Sequence, residues 1–397
     1  MKIRVLKIKQ GLVYALILTT IVMYVPAIYN SGIYNILRYV LFGLMGVLVY
    51  LSISLDFIFS HSLTRKTLLA LALILLEYVI GLAFKLRVRP EDVLQFVIVL
   101  LIVMVGARVR FQDRSFIRLC TVYCYGTLIL GILTVLTYLG SFSMAMNAYD
   151  IIGKNQIGAI VAVGGGVALY LSQLPVSRRR HRLYLGLSAA IFIMLLVIRC
   201  RTALVGFALF AGVVLMQHMT RKQKARIAMA GLLVYMLFFN AINHLLIDSL
   251  LKSTDLEDDE VVVNSDLINQ LSTSRHERNV QAIQFLAVKP LEGALYEYSG
   301  IKLIHNYVLL RLVRYGFILG LPYVWIYLVY LMYCIRGVAR KDQSLRNMGP
   351  YILIIPLFCS LLEPSAPFGP GTVEIMPFLL CGFAMQPRSY LDLKKRR

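Results

Sequence analysis

Acidic residues are scarce in this sequence, and so is charge of either sign. Charged residues make up 15% of the 397, and Asp+Glu number 20 against 41 Lys+Arg. Soluble domains carry roughly 25% charged residues and about 45–50% apolar ones. Here 59% of the chain is hydrophobic and the mean hydropathy is +0.74, which excludes an ordinary soluble domain. The six cysteines, Cys120, Cys124, Cys200, Cys334, Cys359 and Cys381, lie in or beside apolar runs and form no CxxC. They indicate neither a zinc site nor a disulfide framework. The basic N-terminus leads into an apolar run with no small-residue cleavage site, so the run reads as a retained first span. No internal repeat, low-complexity tract or inverted-repeat hydropathy of the transporter kind stands out.

What is present is a series of apolar runs of roughly 17–25 residues with charged punctuation between them. Backbone groups in hydrocarbon must satisfy one another, so such runs form helices. The reading is an all-α polytopic membrane protein of about 12 transmembrane helices. They are expected near 10–29, 32–54, 67–84, 93–109, 116–139, 155–174, 183–199, 202–218, 227–247, 305–333, 349–363 and 372–386. The chain divides into helices 1–9 (1–247), one large loop (248–304), and helices 10–12 with a basic tail (305–397).

A net charge of +21 raises the question of nucleic acid. That partner is rejected, because the basic residues sit in short loops between spans, where they set membrane orientation. A cytoplasmic N-terminus puts most of the Lys+Arg inside. Both termini are then cytoplasmic and 248–304 lies outside. That loop carries ten acidic residues against five basic ones. Within it, Val280–Val288 has the spacing of a short amphipathic helix at the membrane surface. The acidic run Asp255–Glu260 reads as solvated loop.

This orientation makes the outward-facing cations conspicuous. Arg199 and Arg201 flank Cys200 at the outer end of a span. Arg275 and Arg278 lie in the outer loop, and Arg311 and Arg314 in the first turns of the tenth span. Arg38 and Glu77 are ionisable groups inside spans. Such groups are costly and mark functional sites by default. The competing readings are structural. Arg38 snorkels to the interface, Arg199 anchors there, Glu77 pairs with an arginine, and Arg311 and Arg314 anchor their helix. Gly164–Gly166 and Gly316-x-x-x-Gly320 read as helix-packing positions.

Arginine offers a planar fork of donors suited to phosphate. Histidine, with an ordinary pKa of about 6.5, is available as a neutral base. His305, at the mouth of the tenth span, therefore stands where a base beside a phosphate clamp would. Such a set fits transfer of a group away from a pyrophosphate.

Four pieces carry a resemblance to the O-antigen polymerase and O-antigen ligase family of bacterial envelope glycosyltransferases. They are Arg199-Cys-Arg201-Thr202; Ser274-Arg275 through Ala282 with Pro290-Leu-Glu-Gly293; His305-Asn306-Tyr307-x-Leu309 with Gly316 and Gly320; and Lys154-Asn155-Gln156-Ile-Gly158. The resemblance spans roughly residues 150–335, and its His-Asn piece is the most specific. It implies a GT-C-like fold with the site on the outer face of the bacterial inner membrane. Donor and acceptor would be undecaprenyl-pyrophosphate-linked oligosaccharides, joined by inverting transfer without metal or other cofactor. A chain-length regulator and a flippase are implied as partners. Arg201 and Arg275, with Arg278 as the alternative to Arg275, would hold the pyrophosphate, and His305 would be the base. Arg199, Asn306, Tyr307, Arg311, Arg314 and Asn155 are the remaining candidate substrate contacts. Two departures are visible: Cys200 replaces a small polar residue, and no tryptophan follows Asn279. The expected activity is a polysaccharide repeat-unit polymerase for O-antigen or capsule. The alternatives are a ligase delivering the glycan to lipid A-core and a lipid-linked glycan flippase.

Overall fold

A computed structural model describes residues 2–52, 59–86, 88–138, 153–198, 200–217, 219–220, 275–296, 304–363, 367–368 and 375–386, together with 222, 223, 226 and 229. Among these residues every regular element is a helix. Eight are long and apolar enough to cross a membrane. They are α1 (Lys2–Met23), α2 (Ile33–Ser52), α3 (Ser62–Ala83), α4 (Pro90–Arg108), α5 (Asp113–Thr137), α6 (Lys154–Gln173) and α7 (Arg178–Ile198), then, after α8 (Arg201–Met216) and α9 (Arg275–Val288), α10 (Tyr307–Ala339).

The other expected spans differ. Helix α8 has 16 residues, a rise of about 24 Å against a hydrocarbon core of about 30 Å. The span expected at 227–247 lies almost wholly outside the described residues. Residues 349–363 form two short helices, α11 (Met348–Ile352) and α12 (Ile354–Cys359), and 372–386 holds the ten-residue α13 (Ile375–Ala384). Proline in each (Pro350, Pro356, Pro377) limits regular helix. All three are buried in the bundle, so their apolar character meets protein.

Helix α6 runs through the centre and is buried over nearly its whole length. Its glycines fit the packing role: a Cβ at Gly164 would stand 1.9 Å from Thr127 Oγ1, and one at Gly165 or Gly166 would meet Ile191 or Ile355. All six cysteines are buried, and none is in a disulfide.

Polar contacts mark two ends. At one, Gln10 donates to the Arg110 carbonyl, Gln386 to those of Gly106 and Val109, Tyr170 to that of Ser344, and Gln343 to that of Val214. At the other stand the starts of α6, α8 and α10 and the chain at 360–363, where Tyr307 N–H donates to the Ser360 carbonyl.

Candidate functional site

Helix α10 is made in two pieces. Gly316 has φ 71° and ψ −178°, a left-handed conformation that glycine alone adopts freely. The Pro290–Gly293 turn docks in this kink. Phe317 N–H donates to the Pro290 carbonyl (2.7 Å) and Ala294 N–H to that of Val313 (2.9 Å). A Cβ on Gly316 would lie 2.0 Å from the Leu291 carbonyl oxygen, and one on Gly293, at φ 55°, 2.5 Å from Gly316 N. Gly316 is thus a close-packing position, and what packs against it is the Pro290–Gly293 turn.

That docking sets α9 against the start of α10. Ala282 and Leu286 are buried with Ile304 and Val313, while Val280, Ile283 and Val288 stay exposed. The expected amphipathic helix is present, though it begins earlier, at Arg275. One turn in from its start, Arg278 Nη1 lies 3.2 Å from His305 Nε2. The side chain of Arg275 and all of Arg199 lie outside the described residues.

His305 sits immediately before the helix cap. Asn306 has extended backbone angles, and its Oδ1 accepts from Leu309 N–H at 2.9 Å, as an N-cap residue does. Its amide also donates to the Leu361 carbonyl at 3.3 Å. Asn306 is thus the device that starts α10 and aims the residue before it.

The other face of His305 meets Glu363, which sequence reading did not single out. His305 Nδ1 lies 4.0 Å from Glu363 Oε2. Glu363 is buried, and its Oε1 accepts from Asn155 Nδ2 at 2.8 Å. Asn155 Oδ1 lies 3.8 Å from Cys200 Sγ, and Arg201 follows Cys200 as the first residue of α8. Gly158 permits this corner, since a Cβ there would sit 2.4 Å from Cys200 Sγ. Five separate parts of the chain therefore converge in the order Arg278, His305, Glu363, Asn155 and Cys200–Arg201.

The chemistry of the donors fixes the imidazole. A guanidinium has no acceptor, so His305 Nε2 accepts from Arg278 and carries a lone pair. Its proton is then on Nδ1, facing Glu363. The carboxylate stands on the Nδ1 side at 4.0 Å, beyond direct hydrogen-bond distance; histidine bases are oriented when such a group closes to a hydrogen bond and the opposite nitrogen is unprotonated.

Three expected substrate contacts are engaged elsewhere. Arg311, 4% exposed, reaches Asp92 Oδ1 at 2.5 Å and Gln95 Oε1 at 3.3 Å. Arg314 reaches Asp92 Oδ2 at 2.8 Å, and Tyr315 donates to the same oxygen at 2.5 Å. Tyr307 is fully buried, with the Arg311 guanidinium 5.1 Å from its ring centroid. These residues hold α10 to α4 inside the bundle. Glu77 is buried nearby without a hydrogen-bond partner among the described residues, so the expected arginine pairing goes to Asp92 instead. Arg38 lies over the Phe42 ring, 5.8 Å from its centroid.

No protein-family model matches the chain, and no curated protein matches it significantly.

Proposed function

We propose that the chain is a polysaccharide repeat-unit polymerase. It would transfer an undecaprenyl-pyrophosphate-linked glycan to a sugar hydroxyl of another lipid-linked repeat unit, on the outer face of the bacterial inner membrane. The observation that carries this reading is the placement of His305 between Arg278 and Glu363 at one end of a helical membrane bundle. When pyrophosphate oxygens take the Arg278 guanidinium, His305 Nε2 is released to accept a proton from the attacking hydroxyl. Arg278 and Arg201 then stabilise charge on the departing pyrophosphate. Glu363 favours the imidazolium formed in that step. No metal or cofactor is invoked.

Purified protein mixed with a lipid-linked repeat unit provides the test. The expected products are polymer on lipid and free undecaprenyl pyrophosphate, both lost in His305→Ala. Glycan transfer to lipid A-core alone, without polymer, would assign the ligase activity instead. Translocation of the lipid-linked unit without new glycosidic bonds would assign the flippase activity.

A further inference from the structure

At the end of the bundle away from His305, α10, α3 and the Leu345–Asn347 turn enclose a cleft of about 850 Å³. Along α10 and its C-cap, Trp325, Leu328, Met332, Arg336 and Arg340 line it. Their spacing of three or four residues puts them in one stripe along the helix. The stripe changes chemistry partway. Trp325, Leu328 and Met332 are apolar and nearly half exposed, whereas Arg336 and Arg340 are exposed cations. Lys66, from the first turns of α3, faces the same cleft.

The charge of the lining is unbalanced. Lys66, Arg336, Arg340 and Arg346 face it with one carboxylate, Asp342, which accepts from Ser344 at 3.1 Å. Arg346 is held by the Gln386 carbonyl at 2.7 Å. Among the described residues, no carboxylate lies within ion-pair distance of Lys66, Arg336 or Arg340.

Dimensions identify the occupant. Trp325 to Arg340 is a rise of about 22 Å. One bilayer leaflet with its headgroups is about 20–22 Å thick. The cationic end thus stands at headgroup level when the apolar end reaches the middle of the bilayer. A free anion has no use for the apolar floor, and a neutral lipid leaves the cations without a partner. Basic pockets between transmembrane helices suit anionic headgroups.

We infer that the cleft is a binding site for a single anionic phospholipid. Its phosphate sits among Lys66, Arg336 and Arg340, and an acyl chain lies along Met332, Leu328 and Trp325. This site is independent of the proposed transfer reaction at the opposite end.

Native mass spectrometry of the detergent-solubilised full chain tests it, with phosphatidylglycerol and phosphatidylcholine of identical acyl chains. The wild-type protein is expected to hold phosphatidylglycerol at least about tenfold more tightly. The triple variant Lys66→Gln, Arg336→Gln, Arg340→Gln is expected to lose that preference. A control triple at the same end, Arg178→Gln, Arg179→Gln, Arg180→Gln, is expected to keep it. Equal loss in both triples means general electrostatic attraction and overturns the site, as does an undiminished preference in the first. Displacement of the lipid by equimolar glycerol phosphate also overturns it, because headgroup recognition alone would then suffice. Should the first triple not yield monodisperse protein, Arg336→Gln alone is expected to lower the preference about fivefold; no change there overturns the proposal.

Discussion

His305 and Glu363 face each other at 4.0 Å, between Nδ1 and Oε2, across 58 residues of sequence that contain the whole of α10. The pair relates the start of one helix to the chain that follows α12, and it puts a carboxylate on the Nδ1 side of the imidazole. Glu363→Gln keeps the shape and a partner for Asn155 but removes the charge. We expect polymer formation to fall about 10²-fold in kcat, with little change in KM for the lipid-linked substrate. A wild-type rate in this variant would dismiss Glu363 as a positioning residue.

Arg278 touches His305 directly, so its replacement separates the two loop arginines. Arg278→Ala is expected to slow chain extension by about 10²–10³-fold. Arg278→Lys should recover only part of this, because an ammonium lacks the planar fork. Product lengths on gels for Arg275→Ala beside Arg278→Ala show whether the first loop arginine matters equally.

Asp92 holds two arginines, one of them buried. Asp92→Ala leaves the Arg311 charge uncompensated inside the bundle, which costs about 3–5 kcal/mol. The melting temperature in detergent should drop sharply. Adding Arg311→Met should restore most of it, since removing both charges removes the desolvation problem. A double variant no more stable than the single one contradicts this account.

Gly316→Ala puts a methyl group against the Leu291 carbonyl and forces a left-handed conformation on alanine. A cost of roughly 1–3 kcal/mol is expected, together with loss of activity through displacement of α9. Protease cleavage within 275–296 should accelerate in the variant; unchanged proteolysis and activity would show that the turn does not need the glycine.

Hydropathy made the long helices legible because lipid-facing and protein-facing apolar residues obey one length rule when a helix crosses alone. The same property says less about 349–363 and 372–386, where the described helices are shorter than the expected spans. Hydropathy reports that Ile355 or Phe378 avoids water, not whether lipid or protein covers it. In the site, Arg278, His305, Asn155 and Arg201 stood out as polar residues beside apolar runs. Glu363 did not, since a lone acid between Leu362 and Pro364 has no spacing that announces a partner. Arg311 and Arg314 looked equally available, because their partner Asp92 lies more than 200 positions upstream. Asn306 carried a readable capping signal, an Asn directly before an apolar-periodic run, which the functional reading passed over.

The break at Gly316 divides labour within α10. The 23 residues from Phe317 to Ala339 rise about 35 Å, enough to cross a bilayer unaided. The nine residues before the glycine, with His305 ahead of them, are free of that duty and are fastened to α4 through Asp92 and to α9 through the docked turn. When the surrounding lipid thickens or thins, the longer piece can answer by tilting. The shorter piece keeps its neighbours, so the spacing between Arg278 and His305 is insulated from the membrane that carries it.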